Sequence, residues 1–166
     1  MAENEIQNAE NEQQEAQQPV FQMQRCYLKD ASLEMPNAPQ ILMQPQQEQP
    51  QVDIQFEVSQ TVVQENLFDV TVRGTITVKA GEHTIILVEG KQSGLFVIQN
   101  IPQEAVQHVT NVLCPTMVYP YLRGNLADLM TRANVPPVHL PEVNFEMLYQ
   151  QRLAQQAAQA LSLIHI

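Results

Sequence analysis

Tryptophan is absent from this chain, and glycine occurs only five times and cysteine twice in 166 residues. The glycines Gly74, Gly81, Gly90, Gly94 and Gly124 are scattered, and no Lys-Ser/Thr pair follows a glycine-rich run, so a loop that cradles phosphate is not expected. Cys26 and Cys114 lie far apart with no companion at metal-ligand spacing, which predicts two plain thiols rather than a disulfide or a metal site. His83, His108, His139 and His165 form no His-x-x-x-His pair, and no Gly-x-Ser-x-Gly elbow is present. Asp53 and Glu57 alternate outward with apolar neighbours, which describes a solvated sheet face better than a glycosidase carboxylate pair. Neither enzyme chemistry nor a cofactor is expected. Basic residues are also scarce: 8 Lys+Arg against 18 Asp+Glu give a net charge of −10. That charge repels phosphate backbones and anionic lipid, so nucleic acid is excluded as a partner and a basic protein is favoured. No apolar run approaches the roughly 18 residues of a membrane span. The N-terminus is acidic and Gln-rich where a secretory signal is basic and then apolar, so a cytoplasmic protein without membrane insertion is expected.

What is present is a chain with 44% apolar residues, enough for one core that removes roughly two thirds of the extended surface from water. Residues 1–19 carry, apart from Met1, Pro19 and small Ala, a single apolar side chain, Ile6, and are expected to form an unordered acidic tail. From Val20 a strand begins, with Phe21, Met23, Tyr27 and Leu33 on one face and Asp30, Ser32 and Glu34 on the other. The Pro36 and Pro39 region breaks it, and a polar loop with Pro45 and Pro50 follows the apolar patch Ile41-Leu42-Met43. Val52, Ile54, Phe56 and Val58 alternate with polar residues, as do Phe68, Val70, Val72, Ile76 and Val78, with a turn at Gln64-Glu65-Asn66 between them. A third strand after the Ala80-Gly81-Glu82 turn reads Thr84-Ile85-Ile86-Leu87-Val88, apolar on both faces. Its second face needs cover from another subunit, a ligand or a helix of the same chain. Helical spacing then predicts one helix from Pro102 to Cys114-Pro115, with Val106, Val109, Val112 and Leu113 as its stripe. A second is expected from Pro120, with Leu122, Leu126, Leu129 and Ala133. A proline-rich loop over 134–143 leads to a last helix capped by Asn144, with Phe145, Leu148, Tyr149 and Leu153 on one side. The folded domain is therefore 20–160, and the apolar end at 161–166 is of doubtful origin and carries no reading.

The run Phe21-Gln22-Met23-Gln24-Arg25-Cys26-Tyr27-Leu28-Lys29-Asp30, continuing to Met35-Pro36-Asn37-Ala38-Pro39, resembles the opening strand of the bacterial protein-export chaperones of the SecB family. Three later stretches agree in order: Gly94-Leu95-Phe96, Cys114-Pro115 through Tyr119-Pro120-Tyr121 with Arg123, and Pro141-Glu142-Val143-Asn144-Phe145-Glu146-Met147-Leu148. The resemblance spans roughly residues 20–152. It implies an α+β fold, a four-stranded antiparallel sheet with helices packed on one side, assembled as a homotetramer that is a dimer of dimers. It implies ATP-independent binding of unfolded preproteins in apolar grooves, with delivery to the SecA motor. The family's surface for the zinc-bearing C-terminal tail of SecA maps to Asp30, Glu34, Leu87 and Glu89, expected as one flat acidic patch. The opposite parity of that strand, Val88, Gly90 and Gln92, maps to the subunit-packing face. Phe21, Tyr27, Ile41, Tyr119 and Tyr121 are the candidates for the client groove, although each is also a plausible core aromatic or aliphatic residue. No metal ligand and no catalytic residue is implied.

The chain departs from its relatives in three places. The loop at Gln44-Pro45-Gln46 lacks an aromatic that some members carry, Leu122 and Gly124 stand where many have Ala and Glu, and the end is apolar where theirs is polar. A second reading is a SecB-like adaptor dedicated to one partner, such as a toxin–antitoxin pair. Breadth of client binding separates it from a general holdase.

Overall fold

The alternating segments become four long strands in the computed structural model, which describes residues 2–16, 18–45 and 49–164. They are β1 (Val20–Glu34), β2 (Gln51–Gln64), β3 (Leu67–Ala80) and β4 (His83–Gln99). All neighbours are antiparallel, in the order β1-β4-β3-β2. Two-residue turns join the last three strands, and each places one residue at positive φ, Asn66 at 62° and Gly81 at 61°. Asparagine and glycine are the residues that tolerate this region in tight hairpins. The helices are α1 (Ala2–Ala16), α2 (Gln40–Met43), α3 (Gln103–His108), α4 (Cys114–Arg132) and α5 (Phe145–Ile164), with a π-helical turn at Val109–Leu113.

One face of the sheet is dry. Val70, Val72, Ile76, Ile86, Val88 and Phe96 are completely buried, as are Leu122, Leu126 and Met130 of α4 above them. Two glycines make room for this contact. Gly74 and Gly90 pair across β3 and β4, and a Cβ on Gly90 would lie 2.8 Å from Leu126 Cδ2, one on Gly74 3.1 Å from Leu122 Cδ2. The glycine pair is a trough in which two leucines sit, each such burial contributing about 1.5–3 kcal/mol. Ile86 and Val88 are thus covered by a helix of their own chain. Ile85 is buried as the extra residue of a bulge opposite Val78 and Lys79.

β1 differs from its expected alternation. Phe21 and Met23 pair with Ile98 and Phe96 on the helix side, whereas Tyr27 pairs with Ser93 on the helix-free side, and Leu33 pairs with Val88 on the helix side again. Register shifts after Met23 and after Leu28 are the cause, because each inserts one residue and inverts the parity beyond it. Asp30, Ser32 and Glu34 do share the helix-free face.

The two helices expected between Pro102 and Ala133 are one continuous rod. Pro115 was read as a stop because its ring excludes the carbonyl four residues earlier. That carbonyl belongs to Asn111, inside the π-helical turn, where the wider backbone accommodates the ring. Asn144 caps α5 as expected, its Oδ1 accepting from Met147 N at 3.1 Å. Residues 2–16, expected to be unordered, are helical, and those from 2 to 10 are exposed. Ala, Glu and Gln are strong helix formers, and Glu3 and Glu5 suit a first turn. Both cysteines are free; the buried Cys114 thiol is pushed up to about 12 by desolvation, which leaves it unreactive. Residues 161–164 continue α5 and are exposed, whereas His165, Ile166 and Gln46 lie outside the described residues.

Candidate functional site

The helix-free face of the sheet gathers charged residues of all four strands. Glu34 pairs with Leu87, Ser32 with Glu89 and Asp30 with Lys91, so Asp30, Glu34, Leu87 and Glu89 occupy adjoining positions on one face. The patch is not uniformly acidic, however. Arg73 Nε stands 2.9 Å from Glu89 Oε1 and Arg73 Nη1 stands 3.6 Å from Glu57 Oε2, and both carboxylates, Glu89 foremost, hold the guanidinium above its ordinary range. Lys29 Nζ lies 3.3 Å from Asp69 Oδ2, which also accepts from the Tyr27 hydroxyl at 2.6 Å. Burial, followed by this carboxylate, raises the Tyr27 hydroxyl pKa. Thr71 and Ser93 share a hydroxyl hydrogen bond of 2.6 Å beneath them. A band of cations therefore runs beside the acidic one, because the polar parity of β3 and β4 carries Arg73 and Lys91 as well as Glu89.

A second candidate lies on the helix side. A hollow of about 540 Å³ opens between α4 and the chain leading into α5, lined by Tyr119, Arg123, Gly124, Ala127, His139, Glu142, Val143 and Phe145 among others. Tyr119 is its keystone. The ring packs edge-on to Phe56 of β2 and Phe145 of α5, with centroids 5.7 and 5.6 Å away, and its hydroxyl donates to the Pro141 carbonyl. Burial raises the pKa of this hydroxyl, against a lowering by Arg123. α5 is pinned over the neighbouring wall by His108 Nε2 with Glu146 Oε2 at 2.5 Å, and by Arg152 Nη2 donating to Asn111 Oδ1 at 2.6 Å.

The five groove candidates do not converge. Tyr119 alone among them lines the large hollow. Phe21 stacks on Phe96 on the helix side, Tyr27 lies on the opposite face, and Ile41 lines a smaller recess with Pro36 and His83. Tyr121 is 51% exposed on the outer side of α4, in one stripe with Leu113 and Met117. Two positions along a helix are about 200° apart, which separates Tyr121 from Tyr119. Val88, Gly90 and Gln92 present no open surface either. They are buried beneath α4, where Gln92 Oε1 accepts from Asn125 Nδ2 at 2.8 Å and Gln92 Nε2 donates to Cys26 Sγ at 3.3 Å.

Residues 14–156 match the family model described as preprotein translocase subunit SecB. The chain belongs to the SecB family. A protein-export protein SecB from Acidovorax sp. (strain JS42) is 51% identical over 144 residues, covering 87% of this chain and 95% of that one. The SecB of Ralstonia nicotianae is 50% identical, covering 86% and 82%, and that of Paraburkholderia xenovorans 47%, covering 87% and 92%. Membership at this identity carries the role of an export chaperone. A solved structure of the Mycobacterium tuberculosis SecB-like chaperone in complex with a peptide from the HigA1 antitoxin is similar in fold, with a TM-score of 0.61, 18% identity, and coverage of 74% of this chain and 90% of that one. Among the described residues no helix is long and apolar enough to cross a membrane.

Sequence reasoning missed most of the lining of the large hollow. Arg123, His139, Glu142 and Phe145 come from α4, an irregular segment and α5, and no spacing in a sequence signals such a meeting.

Proposed function

We propose that this chain is a nucleotide-independent, cytoplasmic holdase that keeps unfolded preproteins with their apolar segments seated in its hollows and passes them to SecA. It works without enzyme chemistry. The observation that carries the reading is the separation of two surfaces: an apolar, aromatic-floored hollow on the helix side, and a charged, flat face on the other. The hollow suits clients of many sequences, because apolar burial at about 25 cal/mol per Å² is non-directional. Arg123, His139 and Glu142 at its rim supply polar contacts that an extended backbone can use. Each such contact is weak, and a long client gains hold by occupying hollows on several subunits at once.

Two unpartnered surfaces support a dimer of dimers. Among the described residues no strand lies beside the outer edge of β1, which leaves a row of backbone donors and acceptors for a second copy. The stripe of Leu113, at the end of the π-helical turn, with Met117 and Tyr121 of α4 is the other. Val88, Gly90 and Gln92 would then influence assembly by seating α4 rather than by touching a neighbour. The face with Asp30, Glu34, Leu87 and Glu89 is the dock for the basic, zinc-bearing tail of SecA.

Refolding of a slow-folding preprotein, followed without nucleotide, tests this reading. The chain should delay refolding without changing the final yield, and Val143→Asp, at the wall of the hollow, should remove most of the delay. Glu89→Lys should leave the delay intact and abolish binding of the SecA tail peptide. Capture of one protein only from a panel of unfolded chains would favour a dedicated adaptor instead.

A further inference from the structure

We infer that the helix-free face reads an acidic side chain as well as basic ones, so that the peptide it docks carries a carboxylate among its lysines or arginines. The inference rests on that face being a peptide dock, and adds the chemistry of the peptide.

In a chain with 8 basic residues and a net charge of −10, three cations line one hollow of about 210 Å³: Lys29, Arg73 and Lys91, with Glu57, Ser59 and Thr71. Arg73 and Lys91 are direct cross-strand partners in β3 and β4. Like charges placed opposite each other on one face of a sheet are destabilising. A local rule broken at the centre of an ordered sheet is where function is expected. Two of the three cations are met within the chain, Arg73 by Glu89 and Glu57, and Lys29 by Asp69. Lys91 forms no ion pair among the described residues, although Asp30 is its partner across β1 and β4. An incoming carboxylate set between Lys91 and Arg73 relieves their repulsion and meets hydroxyls of Ser59 and Thr71. The acidic end of the same face, at Glu34 and Leu87, lies four strand residues from Lys91, about 13 Å at about 3.3 Å per residue. An extended peptide that reaches both therefore has its acidic and basic residues about four positions apart.

The experiment uses two labelled synthetic peptides, identical in lysines and glycine-serine spacing, one with a glutamate about four residues from a lysine pair and one with glutamine there. Each is titrated at low salt against the full chain, Lys91→Gln, Glu89→Gln, and a variant with Glu3, Glu5 and Glu10 all changed to Gln. The glutamate peptide should bind the wild-type chain about three- to fivefold more tightly, the size of a partly screened ion pair, and Lys91→Gln should erase that preference while leaving the glutamine peptide's affinity no weaker. Equal binding of both peptides, weakened by Glu89→Gln, overturns the inference and leaves the dock standing. Binding of neither peptide overturns both. A preference that survives Lys91→Gln overturns the inference, since the carboxylate is then read elsewhere. A preference that appears only once Glu3, Glu5 and Glu10 are neutralised also overturns it, because the occupant of the hollow is then the chain's own acidic N-terminal segment.

Discussion

The two faces of the sheet are built by the same strands, residue by alternate residue, and they obey opposite rules. Beneath α4, Val88 and Gly90 are closed off and packed to the atom; one position along on the other side, Leu87, Glu89 and Lys91 are only half-buried. The first face resists any change of volume or charge because close-packed interiors cannot relax. The second tolerates change because water and neighbouring ions compensate. Close packing lives on one parity and half-exposed charge on the other, so neighbouring substitutions in β4 should have unrelated consequences.

The largest expected effect tests this directly. Val88→Asp places an uncompensated carboxylate under α4 and should cost about 4 kcal/mol or more, whereas Glu89→Gln, which loses a half-exposed pair with Arg73, should cost no more than about 1 kcal/mol. Urea unfolding of the two variants measures both, and similar losses would break the distinction between the faces. Gly90→Ala comes next. Its Cβ would stand 2.8 Å from Leu126 Cδ2, and the overpacking should cost about 1–3 kcal/mol by the same measurement. Gly124→Ala is the control on the side of α4 that borders the large hollow, where nothing lies within 4 Å of an added Cβ. There the helix should gain up to about 1 kcal/mol.

Met117→Asp should leave the fold of the subunit within about 0.5 kcal/mol, as expected for a surface change, yet shift light-scattering mass toward dimers. An unchanged mass would remove the outer stripe of α4 from the assembly. The smallest effect concerns the pinning of α5. The Gln150 hydrogen bond, followed by that of His108, holds the Glu146 carboxyl below its ordinary value of 4.5. A depressed carboxylate contributes stability in full above its unfolded pKa and loses it as pH falls through the folded one. Glu146→Gln should therefore be slightly less stable than wild type at pH 6, and the difference should fade as pH drops below 4.5 and through the lowered folded-state value.

Much of the sheet was legible because alternation is a local signal. Val52 to Val58 and Phe68 to Val78 fell on the helix side as their spacing required. β1 was misread at Tyr27 because a bulge leaves no mark in composition, and one inserted residue exchanges the faces. The long helix was misread at Pro115 because a proline normally ends such a pattern, and only the widened turn before it keeps the rod intact. Asp30, Glu34, Leu87 and Glu89 were singled out by family resemblance and by the parity within each strand, whereas the register that sets β1 against β4 and joins them on one face came from the structure. The large hollow was not legible, since Tyr119 gains its partners Phe56, Pro141 and Phe145 only after three distant segments have packed.

The widened turn at Val109–Leu113 also sets a phase. One residue more than a regular turn rotates everything downstream by about 100° around the axis. His108 just ahead of the turn and Asn111 within it engage Glu146 and Arg152 of α5; past it, Val118, Leu122 and Leu126 are buried toward the sheet. A single straight helix can thus answer two neighbours that a uniform one would serve only in turn. Deleting one residue within the turn would restore a regular helix and set those two engagements in competition, so the chain would have to give up either the seat of α4 in its glycine trough or the anchorage of α5.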